Sequence, residues 1–427
     1  MKYSTAKLSS GLRLIHLEST SPVLYCGYQL AVGSRHEAPG QEGLAHFTEH
    51  MTFKGTTRRN AIGIINALER LGGELNAYTN KESTVFYAAV QKEHLRVAVD
   101  LLTDVVFHSI YPQAEIEREV EVVCDEIESY NDSPAELIYD EFENLLFEGH
   151  PLGHNILGTA EQLRRYTTAD FLSFARKHYR PDNAVFFVYG DVNFNRLVTL
   201  LERVCPAAQN SQCAEDALEA LDTVETQAAF NTEGTLTAPV DSAYASSLII
   251  RQRQTHQTHV VIGTRAYPAN DTRRLTLFLL NNILGGPGLN ARLNLALRER
   301  NGLVYTVESS VVAYGDTGAW TVYFGCDPHD VGRCRRLVRH ELDRLMEKPL
   351  TPTALAAAKR QLKGQLAIAS DSREQFALDL GKIFLFEGKE RHLSSLFADI
   401  DAITAEQILQ VARELFAEQR LLTLIYK

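Results

Sequence analysis

Apolar residues along the chain switch between two periods, and the switch points divide it into short strands and longer helices. In the first half, runs at 12–16 and 23–32 have the length and composition of strands. A helical pattern follows near Ala45 and over 61–71, then strand-like stretches at 74–78 and 84–90. Long helical stretches occupy 93–107, 112–130 and 135–146. The second half runs in the same order: a strand at 259–264, helices at 273–284 and 291–300, strands at 304–313 and 320–326, then further helices.

The two halves also match in detail. Residues 167–176 lie on residues 404–413 as amphipathic helices with Thr167 and Thr404 as candidate N-caps, and each leads through a polar turn into a β-rich stretch, 184–189 and 421–426. One constant offset over helix, turn and strand indicates an internal repeat. Between the halves, 206–240 is rich in Ala, Gln, Asn, Thr and acids and lacks apolar periodicity. The expected division is an N-terminal domain over 1–212, a linker at 213–240 and a homologous C-terminal domain over 241–427. Strands in hairpin-like pairs with helices in runs predict an α+β fold: two sandwich domains of largely antiparallel sheet packed with helices.

At 427 residues the chain can bury two or three cores. Its 43 Lys+Arg against 54 Asp+Glu give a net charge of −11 spread along the length, which argues against nucleic acid as a partner and permits a chamber for basic peptides. No apolar run reaches membrane-spanning length, and the first residues lack the apolar core of a signal peptide, so a cytoplasmic protein with no membrane partner is expected unless a leader has been removed. The six cysteines show no C-x-x-C pairing, which suggests reduced thiols and neither a disulfide framework nor a cysteine zinc site.

The chemistry concentrates in His46-Phe47-Thr48-Glu49-His50, an H-x-x-E-H pattern. On a helix, His46 and His50 lie one turn apart on one face and can reach one tetrahedral Zn²⁺. Glu49 projects beside that face and can take a proton from water made acidic by the metal. A coincidental surface helix is the alternative. Zinc usually has three protein ligands, so a third is needed. In the helix candidate over 115–130, Ile116, Val120, Val123, Ile127 and Tyr130 form an apolar stripe, with Glu121, Asp125 and Glu128 opposite. Glu119 and Glu126, seven apart, share the stripe's edge, where a carboxylate carries a desolvation cost unless paired or ligating. Periodicity leaves open which of the two is the ligand.

The run from Gly43 to Thr56 resembles the pitrilysin-like zinc metallopeptidases, most closely the short-chain branch with the mitochondrial processing peptidase β subunit and its bacterial relatives. Residues 72–79, 117–120, 122–127 and 150–153 carry the same resemblance, which covers essentially the whole chain. It implies a LuxS/metallopeptidase-like fold, one Zn²⁺ per chain, Glu126 as third ligand and Glu119 as its support. It further implies an edge strand at Asn76 and Ala77 to which a peptide substrate adds by β-pairing. The stretch 294–307 also resembles the family, and Arg298 and Tyr305 are the residues that would touch the substrate backbone. The activity implied is a zinc endopeptidase acting on short or unfolded polypeptides in a clamshell chamber closed by dimerisation, either with a second copy or with a paralogue. Arg298 and Tyr305 would then serve the partner's metal. The rival readings are a non-catalytic peptide-binding or scaffolding subunit of a processing peptidase, and a metal-stabilised structural protein. Two weaker patterns count against other chemistry: 284–290 lacks the Lys-Ser/Thr ending of a phosphate loop, and His256 and His259 are read as structural or surface histidines.

Overall fold

The computed structural model describes residues 2–205, 247–253 and 255–427; the expected linker and Cys213 lie outside them. Strands β1 (Tyr3–Lys7), β2 (Arg13–Glu18), β3 (Val23–Leu30), β4 (Glu74–Thr79), β5 (Thr84–Gln91) and β6 (Ala184–Gly190) form one sheet in the order β1-β2-β6-β3-β5-β4. Strands β7 (Leu248–Arg251), β8 (Thr258–Ala266), β9 (Val304–Ala313), β10 (Gly318–Cys326) and β11 (Leu422–Tyr426) form a second, in the order β7-β11-β8-β10-β9. Without β1 the two orders are the same, and each sheet has one parallel pair at the same place, β2 with β6 and β7 with β11. The repeat extends to the helix Thr168–His178 and the helix Ala405–Leu415. Each starts from a threonine capping box and passes through a 3₁₀ turn into the equivalent strands β6 and β11.

Two large cores follow from alternation along the strands. In the first, Leu14, Leu24, Tyr28, Phe86 and Phe186 meet Phe47 and Met51 of α1 (Leu44–Thr52) and Ile64 and Leu68 of α2 (Ala61–Glu69). Leu102 and Val105 of α3 (Leu95–Phe107) and Val120 and Val123 of α4 (Gln113–Asn131) complete it. In the second, Val260, Ile262, Trp320, Val322 and Phe324 meet apolar residues of the helices Arg274–Gly285, Val331–Glu347 and Ala405–Leu415.

The opposite faces of the sheets are covered crosswise. Ile15, Leu17, Val85 and Phe187 of the first sheet lie under Phe376, Leu380 and Leu385 of the helix Arg373–Glu387, which comes from the second half. Val261, Tyr323, Leu424 and Tyr426 of the second sheet lie under Ile138, Phe142 and Leu146 of α5 (Pro134–Leu146), which comes from the first. A polar seam runs beside this exchange. Arg35 donates to Asp316 at 3.0 and 2.7 Å and to Glu82, and His150 stands 3.3 Å from Asp316. Glu82 in turn accepts from Gly315 N–H at 3.0 Å, and Tyr314 donates to Glu143 at 2.9 Å.

Leu380 is fully buried between the halves. Leu380→Ala is expected to cost about 2–5 kcal/mol, read by denaturant unfolding. The seam also sets an acid dependence. Burial alone would raise the Asp316 pKa, but hydrogen bonds from His150 and Arg35 outweigh it and hold the carboxyl below its usual range. A depressed folded-state pKa gives stability that is present above the unfolded value of about 3.9 and is lost as pH falls below it. Asp316→Asn should therefore lower Tm at neutral pH and flatten the fall of Tm in acid.

Candidate metal centre

The helix α1 is buried on nearly every side and still carries two imidazoles and a carboxylate. Its N-terminus is set by Gly43 in the left-handed region (φ 90°), where a Cβ would lie 2.6 Å from the Leu157 carbonyl oxygen. Glycine has no side chain to cap the helix, and Glu37 does so from a distance. Its buried carboxylate accepts from Gly43 N–H at 3.1 Å and Ala45 N–H at 2.7 Å, and from His154 Nε2 at 2.9 Å. Thr48 and Thr52 satisfy their buried hydroxyls on the carbonyls of Leu44 and Thr48, one turn back.

The sequence reading placed His46, His50 and Glu126 together, and so does the fold. His46 Nε2 lies 3.8 Å from Glu126 Oε1 and His50 Nε2 lies 3.6 Å from Glu126 Oε2, and the three donor atoms all fall within 4.8 Å of one another. Glu119, seven residues or about two turns back on α4, accepts from His50 Nδ1 at 3.1 Å through Oε1. Its Oε2 is 2.5 Å from Lys54 Nζ. With Nδ1 donating to Glu119, the lone pair of His50 Nε2 points to the side where Glu126 stands. Glu119 is the more buried of the two acids on α4, as a supporting residue requires, and Glu126 the more open.

Burial, and secondarily the neighbouring His50, push the His46 pKa down to about 3, so its imidazole is neutral near pH 7. At His50 burial also lowers the pKa, but the Glu119 hydrogen bond and the carboxylates of Glu49 and Glu126 more than reverse it. Glu49 is 7% exposed, and its burial raises the pKa to about 7 against the lowering effect of a hydrogen bond from Thr79. That bond runs from Thr79 Oγ1 to Glu49 Oε2 at 2.9 Å. A carboxyl poised near neutrality beside two imidazoles is suited to accept and return a proton.

Asn76 and Ala77 lie in β4, which pairs with β5 on one side and forms the edge of its sheet. They border a groove with Phe53, Ile64, Ile65 and Leu75. Arg298 and Tyr305 lie in the second half and meet each other, the guanidinium 5.6 Å from the ring centre, with Tyr305 81% exposed. Among the described residues neither bonds to the histidine–glutamate cluster of its own chain. The expected α-helix over 291–300 is corrected here: Asn294–Glu299 is a π-helix, in which Arg300 N–H reaches the Leu295 carbonyl. The side-chain amides of Asn294 and Asn301 bond five residues back, to Leu289 and Ala296, which favours the wider turn.

Two family models match the chain, "Insulinase (Peptidase family M16)" over residues 14–160 and "Peptidase M16 inactive domain" over 165–362. An uncharacterized zinc protease of Bacillus subtilis is 30% identical over 97% of this chain and 96% of its own length. The chain belongs to peptidase family M16. An uncharacterized zinc protease of Streptomyces coelicolor is 32% identical over 98% of the chain and 88% of its own length. A crystal structure of a protease from Helicobacter pylori covers 100% of this chain and 99% of its own at a TM-score of 0.87 and 21% identity, and shows the same fold.

The donor set of this M16 chain fits zinc. It offers two imidazole nitrogens and one carboxylate, the usual complement of a catalytic site that keeps a position open. The Nδ1 atom of His46 is buried with no hydrogen-bond partner among the described residues. The Nε2 of the same ring is the nitrogen that faces Glu126, 3.8 Å from Oε1, so the lone pair there is the one open to a cation. The other His-and-carboxylate grouping among the described residues, Asp327, His329 and Asp330, stands open to solvent with no such support. Sequence reasoning did not find Glu37, Lys54, His154 or Thr79 as parts of this centre. Lys54 and Glu37 lie close to the motif but outside its pattern, and Thr79 and His154 join through contacts across long sequence separations. Glu119→Gln is expected to weaken zinc binding about 10–100-fold, measured by chelator competition.

Proposed function

We propose that this M16 chain is a zinc endopeptidase that hydrolyses short or unfolded polypeptides, with Glu49 as general base. The observation that carries the reading is a buried carboxyl, poised near neutral pH, beside three convergent zinc donors. Zinc held by His46, His50 and Glu126 supplies a Lewis acid that polarises a carbonyl and makes water a readier nucleophile. Glu49 takes a proton from the attacking water as its oxygen bonds to the scissile carbon, and returns it to the amine nitrogen as the C–N bond breaks. Glu119 and Lys54 keep His50 oriented. The free edge of β4 at Asn76 and Ala77 receives the substrate backbone as an added strand, which gives grip with little sequence preference.

In this reading residues 1–212 form the catalytic domain and 241–427 the substrate-binding one, and the active unit is a dimer of two copies or of this chain and a paralogue. Tyr305 is exposed and Arg298 half-buried, and both are separate from the metal-site candidates of their own chain. They are donors able to steady the developing oxyanion at the partner's centre.

Wild type is expected to cleave quenched-fluorescent peptides, while Glu49→Gln retains zinc and loses the activity. Zinc-loaded wild type that cleaves nothing at any concentration would instead favour the partner-subunit reading. Specific activity should also fall on dilution below the dimer dissociation constant; a rate strictly proportional to concentration through that range would remove the dimer from the mechanism.

A further inference from the structure

Thr79 closes β4, the strand whose free edge would receive the substrate, and its side chain crosses to the general base. The residue is 9% exposed and Glu49 is 7% exposed, so water contributes little to their contact. Thr79 Oγ1 lies 2.9 Å from Glu49 Oε2 and 3.3 Å from Thr84 Oγ1. Thr84 is the cross-strand partner of Thr79, and it donates its single hydroxyl proton to the Val32 carbonyl at 2.9 Å. Thr84 can therefore only accept from Thr79. The one proton of Thr79 has two acceptors, and the nearer, charged carboxylate is the stronger. The hydroxyl thus has a fixed direction, held by β5 on one side and spent on Glu49 on the other. Among the described residues Oε1 of Glu49 has no hydrogen bond, so one oxygen is anchored and the other is left to exchange a proton.

We propose that Thr79 is a positioning residue for Glu49, through which the substrate-receiving strand fixes the orientation of the base. This rests on the peptidase reading above. Backbone pairing along β4 does not use the Thr79 hydroxyl, so removing it should leave substrate binding intact and slow the chemical step.

The test compares wild type, Glu49→Gln, Thr79→Val and Thr79→Ser on one quenched-fluorescent peptide, with zinc content and Tm measured for each. Valine keeps the shape of threonine without the hydroxyl, and serine keeps the hydroxyl. Thr79→Val should lower kcat about tenfold, the scale of one hydrogen bond to a charged group, with KM and zinc content unchanged. Thr79→Ser should recover most of that loss. If Thr79→Val does not fold, Thr79→Ala takes its place against Thr79→Ser. The proposal is overturned if the hydroxyl-free variant keeps the wild-type kcat, if the loss appears in KM or in zinc content, or if serine is as impaired as valine. Failure of the peptidase reading is separate, since wild type would then be inactive or Glu49→Gln would cleave as well as wild type.

Discussion

The centre depends on burying α1. A nine-residue helix with His46 and Glu49 less than a tenth exposed would ordinarily be a poor core element, because each of these groups loses water. The surrounding structure answers them one at a time. Glu37 caps the first turn, Thr48 and Thr52 bond back to the helix, Glu119 takes His50 and Thr79 takes Glu49. The same burial produces the chemistry, since it keeps His46 neutral and brings Glu49 near neutrality. Stability and function at this helix are two results of one desolvation.

The internal repeat makes the contrast sharper. The helix Arg274–Gly285 follows β8 as α1 follows β3, and it packs on the edge strand β9 as α1 packs on β4. Where α1 carries two histidines and Glu49, it carries Asn281, whose amide accepts from Trp320 Nε1 and donates to the Ser309 carbonyl. Every polar atom of that side chain points inward and is paired. The second half therefore keeps the scaffold with a closed hydrogen-bond network, whereas the first leaves donor atoms facing one another.

Much of this was legible in the chain. Spacing placed His46 and His50 on one helical face, and the α4 stripe singled out Glu119 and Glu126, though only family likeness ordered them. The other strands fall close to where apolar runs suggested, because alternation is a local signal, but the short edge strands β1 and β7 were missed, their residues being largely exposed or half-buried. What sequence did not carry was non-local. Thr79 reaches α1 across thirty residues and His154 supports its cap, Glu37, across more than a hundred, and no periodicity relates them to the helix. The π-turn at Asn294–Glu299 was also hidden, since its apolar pattern differs little from that of an α-helix. The crosswise cover of the sheets could not be read either, because an apolar face does not say which helix will lie on it.

That crosswise cover bears on synthesis. The outer face of the first sheet, with Ile15, Leu17, Val85 and Phe187, has no lid until the residues of the helix Arg373–Glu387 have been made. A nascent first half therefore leaves the ribosome with a finished metal-side core and a bare apolar sheet, a surface that invites chaperones or aggregation during elongation. Each half is the last piece of the other.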